Sequence, residues 1–166
     1  IESALMTEIH AVTADQTVLD QGHRDLRRAR ASGYNIIPTT SSAIAAVQQV
    51  LPWLESRIEG YSIRVPTLDV AAIDLGFVSR QPVTAAQVNA CLQQAAQGPY
   101  AGIMAYCEEP LVSTDFIHHP ASLIIDSLQT HGAGTQTKVL AWYDNEWGYA
   151  NRLLDLCGHL GQMGAG

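Results

Sequence analysis

The chain opens with a segment in which apolar and polar positions alternate. One side carries Leu5, Thr7, Ile9 and Ala11, and the other carries Met6, Glu8, His10 and Val12. A repeat of two residues is typical of a β-strand, because successive side chains of a strand point to opposite faces of the sheet. The pattern therefore predicts an early strand with His10 on the face away from Ile9. A lone histidine of this kind more often has a structural role than a catalytic one.

Later segments repeat the alternation or carry short apolar runs. The predicted strands span 61–65, 71–78, 103–106, 111–112, 122–126 and 136–143. The link between the first two, 66–69, is short, which predicts that they form an antiparallel pair. The segment 132–134, which contains two glycines, predicts a hairpin between the last two.

Helical spacing of apolar residues predicts three helices. They span about 42–54, 84–97 and 146–160. Ser41 or Ser42 can cap the first helix, and Thr84 with Gln87 forms a capping box at the second. The acid and amide at 144–145 can cap the third, where the strand before it stops.

The balance of these elements predicts the fold class. A chain of 166 residues is long enough for one domain with a sizeable core. Strands outnumber helices, and most of the strands have short connections. We therefore expect a single α+β domain over 1–166, with a mostly antiparallel mixed sheet and about three helices covering one face.

A long polar segment, 13–37, separates the first strand from the first helix. An irregular segment of this length inside a compact domain is usually functional or disordered. Four of the nine basic residues lie within it, namely Arg24, Arg27, Arg28 and Arg30. Guanidinium groups bind phosphate oxygens, but the same cluster is equally compatible with a solvated helical turn.

Two further features are compatible with anion binding. Ser41 and Ser42 precede a helix, and hydroxyls with free N–H groups at a helix start can bind phosphate. Most such serines are only caps, however. Arg64 lies on the face opposite Ile63 and Val65, so its charge requires an anionic partner or water.

Composition excludes some classes of partner. Nine basic against sixteen acidic residues give a net charge of −7. Phosphate backbones and anionic membranes attract excess positive charge, so neither nucleic acid nor a membrane surface is an expected partner. No segment is long and apolar enough to cross a bilayer, and no signal peptide is visible. We expect a cytoplasmic protein.

The cysteines and histidines do not indicate a metal site. Cys91, Cys107 and Cys157 are scattered and form no CxxC pair, which argues against a disulfide framework or structural zinc. Cys91 and Cys157 fall on apolar faces of predicted helices, so we expect buried structural thiols. The adjacent His118 and His119 lack the helical spacing of a paired zinc site.

Six blocks in unchanged order resemble the catalytic domain of the phosphorylating glyceraldehyde-3-phosphate dehydrogenase family. They are MTEIHAVT with Asp15-Gln16, DLRRARA, IIPTT, RVPT, VSTDF and WYDNE, at 6–16, 25–31, 36–40, 64–67, 112–116 and 142–146. Together they cover nearly the whole chain. The resemblance implies an enzyme that oxidises D-glyceraldehyde 3-phosphate with NAD and inorganic phosphate, giving 1,3-bisphosphoglycerate through a cysteine thioester.

The resemblance implies roles for residues of the first strands. His10 matches the histidine that pairs with the nucleophilic cysteine, stabilises its thiolate and accepts the substrate proton. Thr13 and Arg64 match residues that hold the terminal phosphate of the substrate. The loop from about 15 to 35 resembles one that lines the cofactor site of a neighbouring subunit, and the family implies a tetramer.

Further roles follow for the phosphate and the cofactor. Arg28 and Ser41, with the neighbouring Ser42, match the site for the attacking inorganic phosphate. Asn145 matches the residue that binds the nicotinamide carboxamide, and Tyr149 packs nearby.

The chain also departs from the family pattern. The nucleophile of the family lies in a Ser-Cys-Thr-Thr-Asn block upstream of the histidine, and here only nine residues precede His10. The glycine-rich Rossmann half, which supplies most NAD contacts, is missing as well. We therefore expect the catalytic domain of a longer enzyme, which alone binds no cofactor and has no oxidoreductase activity.

Two alternatives remain. Ser42, where the family usually has glycine, and Gln129-Thr130 resemble a sister branch that acts on D-erythrose 4-phosphate, whereas Thr13 favours the glyceraldehyde branch. The other alternative is a non-catalytic oligomerisation or binding module, because an exposed aliphatic sheet face usually marks a partner surface. The residues that distinguish NAD from NADP belong to the missing half.

Overall fold

The computed structural model describes residues 1–163. In chain order its elements are β1 Ser3–Ala11, β2 Ile37–Thr39, α1 Ala43–Val50, β3 Ile58–Val65, β4 Ala71–Val78, α2 Ala85–Gln97, β5 Met104–Cys107, β6 Leu123–Ala133, β7 Gln136–Tyr143 and α3 Asn145–Met163. Two short 3-10 turns lie at Pro52–Leu54 and Ser113–Phe116. One mixed sheet and three helices in this part of the chain confirm the predicted α+β class.

The seven strands form one sheet in the order β2-β3-β1-β4-β7-β6-β5. β1 pairs with β3 in parallel and with β4 antiparallel. The prediction that 61–65 and 71–78 pair directly is therefore wrong, because β1 lies between them. Their link, 66–70, spans about 16 Å when extended, which exceeds the roughly 10 Å needed to pass one intervening strand.

The remaining strand predictions have mixed outcomes. β6 and β7 form the predicted antiparallel hairpin, which turns at Gly134 with a φ of 66° that glycine adopts without steric cost. The segment 111–112 is not a strand. Pro110 before it has no N–H to donate, and Leu111 packs instead against the apolar cluster around Phe116.

Local sequence determines where the first two helices begin and end. α1 stops at Val50, earlier than predicted, because Pro52 has no backbone N–H and continues the chain as a 3-10 turn. α2 begins with the predicted capping box. Thr84 Oγ1 accepts the N–H of Gln87 at 3.2 Å, and Gln87 Oε1 accepts the N–H of Thr84 at 2.9 Å.

α3 begins at the buried carboxylate of Asp144. One oxygen accepts the N–H of Trp147 at 2.8 Å, and the other accepts the N–H of His118 at 2.9 Å. The acid at 144 thus caps the helix as predicted. Further along α3 the apolar side chains are exposed, with Leu154 at 70%.

The expected burial of Cys91 and Cys157 is wrong, because both thiols are exposed. α2 has no fully buried residue, and α3 has only Gly148. The apolar faces that the sequence pattern marks on these helices are therefore only partly covered by the described residues.

Two apolar clusters hold the sheet and its connections together. In the first, Ala4, Leu54 and Ile58 pack with side chains of α1. In the second, Phe116 stacks on Trp142 with ring centroids 5.6 Å apart and packs the segment 111–121 against β5, β6 and β7. The first cluster lies on the same face of β1 as His10, because side chains two residues apart share a face.

The opposite face of the sheet is exposed over β1 and β3. Leu5 is 71% exposed, Tyr61 51% and Ile9 36%. Asp74 of β4 is the register partner of Thr7 of β1, and it forms an ion pair of 2.8 Å with Lys138. We refer to the surface formed by Leu5, Ile9, Tyr61, Asp74 and Lys138 as the open face.

Gly60 provides a test of the pairing between β1 and β3. A Cβ added there would overlap the carbonyl oxygen of Met6, whereas at Gly76 the nearest atom is the Leu5 carbonyl oxygen at 3.8 Å. We predict that Gly60→Ala lowers the free energy of unfolding by about 3 kcal/mol, because β3 must move away from β1. Gly76→Ala is the matched control and should change it by less than about 1 kcal/mol. Urea unfolding measures both, and equal losses would contradict the prediction.

Candidate functional site

His10 lies at the end of β1 on the buried face, with 8% of its surface exposed. Its Nδ1 lies 2.7 Å from the carbonyl oxygen of Ala11. A carbonyl oxygen can only accept, so this contact assigns a proton to Nδ1 and leaves Nε2 as the basic nitrogen. The free lone pair of Nε2 is suited to accept a proton from a substrate.

Arg64 is the register partner of His10 on the parallel strand β3. Its Nη1 lies 3.2 Å from each of three atoms, which are His10 Nδ1, the Ala11 carbonyl oxygen and Thr13 Oγ1. Because Nδ1 carries a proton, the guanidinium group donates to Ala11 and Thr13 rather than to the ring. The Nε of Arg64 is buried and has no hydrogen-bond partner among residues 1–163.

A second guanidinium group lies beyond Thr13. Arg28 donates from Nε to Thr39 Oγ1 at 2.8 Å and from Nη2 to Thr40 Oγ1 at 3.2 Å. Its Nη1 pairs with Asp15 at 3.0 Å. Thr13 in turn donates its hydroxyl to Asp15. Thr13, Asp15, Arg28 and Arg64 thus form one connected set, which we refer to as the guanidinium cluster.

Asp15 offsets part of the positive charge of this cluster. The hydrogen bond from Thr13 lowers the pKa of Asp15, burial opposes this, and Arg28 and Arg64 lower the pKa further. The carboxylate therefore remains charged at neutral pH. Half of its side chain is exposed, so an incoming phosphate group can replace it as the partner of Arg28.

Ser41 and Ser42 directly follow Thr40 and precede α1. The hydroxyl of Ser41 accepts the N–H of Ala43 at 3.2 Å. Ser42 is the N-cap residue, but its side chain makes no capping hydrogen bond. Two hydroxyls and the start of a helix therefore adjoin the threonines that Arg28 contacts, and the structure brings Arg28, Ser41 and Ser42 into one region.

Asn145 and Tyr149 lie on the first turns of α3, and both are exposed, Tyr149 to 66%. The described hydrogen bonds do not connect either residue with His10 or with the guanidinium cluster. Tyr143, two residues before Asn145, does contact His10, so the start of α3 adjoins the end of β1.

Glu8 and Tyr143 are two residues of the site that the sequence pattern does not identify. The hydroxyl of Tyr143 donates to Glu8 at 2.6 Å, and its ring meets that of His10 edge-on with centroids 6.1 Å apart. The two-residue spacing of Glu8 and His10, which places both on one face, is a signal for Glu8. No local signal identifies Tyr143, because its position depends on the register of β4 with both β1 and β7.

The cysteines of the chain lie away from His10. Cys107 is on β5, four strands from β1 in the sheet order, which is roughly 19 Å at the usual strand spacing. Cys91 and Cys157 are exposed on α2 and α3. α2 packs on β5 and β6, and Cys157 lies twelve residues, or roughly 18 Å, beyond the start of α3, so none of these thiols lies beside the imidazole.

Other kinds of site are not found in the part of the chain that the structure describes. It contains no group of three or more His, Cys, Asp or Glu side chains that could hold a metal ion. None of its helices combines the length and the apolar character needed to cross a membrane. A groove of about 410 Å³ lies at the start of β1, at the opposite end from His10.

His10 lies beside one guanidinium group, that of Arg64, and Thr13 and Asp15 connect it to a second, that of Arg28. Guanidinium groups are suited to bind phosphate oxygens. The family model described as "Glyceraldehyde 3-phosphate dehydrogenase, C-terminal domain" matches residues 1–145. The chain belongs to this family, as the six sequence blocks predicted.

Named relatives agree with this assignment. The chain is 48% identical over 155 residues to "Glyceraldehyde-3-phosphate dehydrogenase, plasmid" of Cupriavidus necator. The aligned region covers 93% of the chain and 46% of that protein. It is 49% identical over 153 residues to the chromosomal enzyme of the same organism, covering 92% and 46%. It is 47% identical over 156 residues to "Glyceraldehyde-3-phosphate dehydrogenase 1" of Streptomyces avermitilis, covering 94% and 47%. The chain spans about half the length of these curated relatives.

The pKa of Glu8 allows a test of the charges at the site. Burial tends to raise this pKa, but the hydrogen bond from Tyr143 and the hydroxyls of Ser62 and Ser41 lower it below its ordinary value of 4.5. A carboxyl group with a lowered pKa in the folded state stabilises the fold above its unfolded pKa. That contribution is lost as the pH falls through the folded pKa.

We therefore predict that Glu8→Gln flattens the decline in unfolding free energy as the pH falls from about 5 to 3. The exposed Glu59→Gln is the matched control and should keep the decline of the unaltered chain. Urea unfolding at stepped pH measures the slopes, and an unchanged slope in Glu8→Gln would refute the lowered pKa.

Proposed function

We propose that this chain is the catalytic domain of a phosphorylating aldehyde dehydrogenase that acts on glyceraldehyde 3-phosphate. The enzyme uses NAD and inorganic phosphate and forms 1,3-bisphosphoglycerate through a cysteine thioester. Membership of the family and the names of the relatives support the proposal. The observation that carries it is the contact between His10 and Arg64, whose imidazole and guanidinium groups approach to 3.2 Å, as a general base beside an anion-binding group requires.

His10 acts as the general base. Its Nε2 takes the proton of the thiol as the sulfur adds to the aldehyde carbon, and returns it to the aldehyde oxygen, which becomes a hydroxyl. In the following oxidation it takes the proton of the resulting hydroxyl as the carbonyl of the thioester forms. The Ala11 carbonyl oxygen keeps the other nitrogen protonated and stabilises the imidazolium that results.

The two guanidinium groups divide the two phosphate groups of the reaction between them. Arg64 and Thr13 hold the terminal phosphate of the substrate, as the resemblance to the family implies, and a hydrogen bond joins them beside His10. Arg28 binds the attacking inorganic phosphate together with Ser41 and Ser42 at the start of α1. Planar guanidinium groups suit this task, because they pair with two phosphate oxygens at once.

The residues at the start of α3 fit the nicotinamide end of NAD. The exposed side chain of Asn145 offers a donor and an acceptor to another carboxamide, and the exposed ring of Tyr149 offers a surface for packing. When bound, NAD accepts the hydride of the substrate. Residues 1–163 include no glycine-rich turn from a strand into a helix, so the pyrophosphate contacts lie outside them.

The nucleophilic thiol also lies outside the described residues. Cys107 is four strands from β1, and the other two cysteines are exposed on helices. The proposal therefore assigns the thiol and most of the cofactor site to the part of the relatives that this chain does not span.

The open face pairs with a second copy of the chain in the assembled enzyme. It presents Leu5 and Tyr61 to solvent over two adjacent strands, and apolar patches of this kind mark protein interfaces. The loop 13–36 makes a further contact between subunits. Its side chains Leu19, Leu26 and Tyr34 are more than two thirds exposed, Tyr34 to 87%.

Substitution of the two arginines tests the division of the phosphate sites. In the full-length enzyme, we predict that Arg64→Met raises the KM for the aldehyde by about tenfold to a hundredfold and that Arg28→Met does the same for inorganic phosphate. Each should change the other KM by less than about threefold. His10→Asn should lower kcat by about a hundredfold or more. Steady-state kinetics with both substrates varied separates these effects.

The outcomes distinguish the alternatives. Equal effects of both arginine substitutions on both KM values would contradict the division. A higher kcat/KM for erythrose 4-phosphate would assign the enzyme to the sister branch. An intact protein without activity on either aldehyde would favour the non-catalytic module. The 166-residue chain alone should give no turnover with NAD, aldehyde and phosphate, and turnover would refute the assignment of the thiol.

The oligomer allows a separate test. We predict that Leu5→Lys on the open face shifts the assembled enzyme towards smaller species, because the charge must be buried at the contact. Val50→Lys, at an exposed position at the end of α1, is the control and should leave the assembly unchanged. Sedimentation velocity measures both. An unaltered oligomer in Leu5→Lys would exclude the open face as the interface.

A further inference from the structure

We propose that Glu8 is a positioning residue for the imidazole of His10 and acts through Tyr143. The catalytic meaning of this inference rests on the proposed function, because it concerns the same general base. The geometry on which it stands is independent of the reaction.

The three side chains meet across three strands. Glu8 and His10 share a face of β1, and Tyr143 ends β7 on the far side of β4. The neighbour of Tyr143 on β4 is the buried Ala71, whose methyl group leaves room for the tyrosine ring to lean towards β1. The hydroxyl of Tyr143 then reaches Glu8 at 2.6 Å, so one hydrogen bond joins residues 135 positions apart.

The ring of Tyr143 also contacts the imidazole. The two rings meet edge-on at an interplanar angle of 69°, with centroids 6.1 Å apart. Edge-to-face pairs of this kind are favourable at such distances. Half a turn of the imidazole would replace Nδ1 by Cδ2 at the Ala11 carbonyl oxygen and would redirect Nε2. A tyrosine ring that is fixed in place hinders this turn.

The hydrogen bond to Glu8 is what fixes the tyrosine ring. A bond from a hydroxyl to a carboxylate at 2.6 Å is charge-assisted and stronger than a neutral one. Burial raises the pKa of Tyr143, and the bond to Glu8 raises it further, so the hydroxyl keeps its proton and remains a donor. The lowered pKa of Glu8 means that the acceptor remains charged.

Glu8 has a competing candidate role, because Ser41 is near its carboxylate and belongs to the proposed phosphate site. A carboxylate there would repel inorganic phosphate instead of orienting the imidazole. The geometry favours the positioning role, since the carboxylate of Glu8 accepts a hydrogen bond of 2.6 Å from Tyr143. The two roles have different kinetic consequences.

Nitrogen NMR of the imidazole tests the proposal on the 166-residue chain. At about pH 8.5 imidazoles are neutral, and the shifts of Nδ1 and Nε2 report the two tautomers. His10→Gln assigns the signals of His10. We expect the unaltered chain and Glu8→Gln to show the Nδ1–H tautomer, because glutamine still accepts the tyrosine hydroxyl. In Glu8→Ala and Tyr143→Phe the other tautomer should rise about fivefold or more.

Controls separate positioning from general stability. Glu59→Ala removes an exposed carboxylate of β3 and should leave the tautomers of His10 unchanged. Amide spectra verify that each variant is folded. If Glu8→Ala does not fold, Tyr143→Phe alone tests the shift in the tautomers of His10. Folded variants that keep the tautomer of the unaltered chain would overturn the proposal. So would a Glu8→Gln variant that behaves like Glu8→Ala.

Kinetics of the full-length enzyme then connect the tautomer to catalysis. Glu8→Ala should lower kcat by about tenfold to a hundredfold, with both KM values within about threefold. A changed KM for phosphate with an unchanged kcat would assign Glu8 to the phosphate site and overturn the proposal. If the unaltered enzyme is inactive but the tautomers shift as expected, the proposed function fails and the positioning role stands. If the unaltered enzyme is active but the tautomers do not shift in the variants, the positioning role fails and the proposed function stands.

Discussion

One backbone carbonyl oxygen, that of Ala11, organises the polar end of this sheet. It accepts a hydrogen bond from the imidazole of His10 and another from the guanidinium group of Arg64. A carbonyl oxygen has two lone pairs, so it can serve both donors at once. The same atom therefore determines which imidazole nitrogen is basic and where the guanidinium group of Arg64 lies. This arrangement depends on the parallel register of β1 and β3, which places the two side chains next to each other.

The positive charge of the site is local. The chain as a whole carries a net charge of −7, and the guanidinium cluster contains its own carboxylate, Asp15. At physiological ionic strength, charges further apart than about 8 Å are largely screened. Affinity for an anionic ligand must then come from direct contacts with Arg28 and Arg64 rather than from the overall field. The hydroxyls of Thr13, Thr39 and Thr40 hold these guanidinium groups in place without adding charge.

Features that depend on neighbouring residues were predictable from the sequence. The alternation in β1, the capping box of α2 and the hairpin of β6 and β7 all appear as predicted. Features that depend on which strands become neighbours were not. The pairing of 61–65 with 71–78 failed because β1 lies between them, and Tyr143 was missed because its contact crosses β4. The burial of Cys91 was also predicted wrongly, because an apolar helix face in the sequence does not reveal whether another element covers it.

The position of β1 in the sheet has a consequence for synthesis on the ribosome. Its two partners lie far downstream, since β3 begins at Ile58 and β4 ends at Val78. At usual translation rates, roughly 3–13 s pass between the end of β1 and the completion of β4. During that interval the nascent strand has free edges that can pair with other chains. Glu8 and His10 interrupt its apolar run, and polar groups within a strand slow such association.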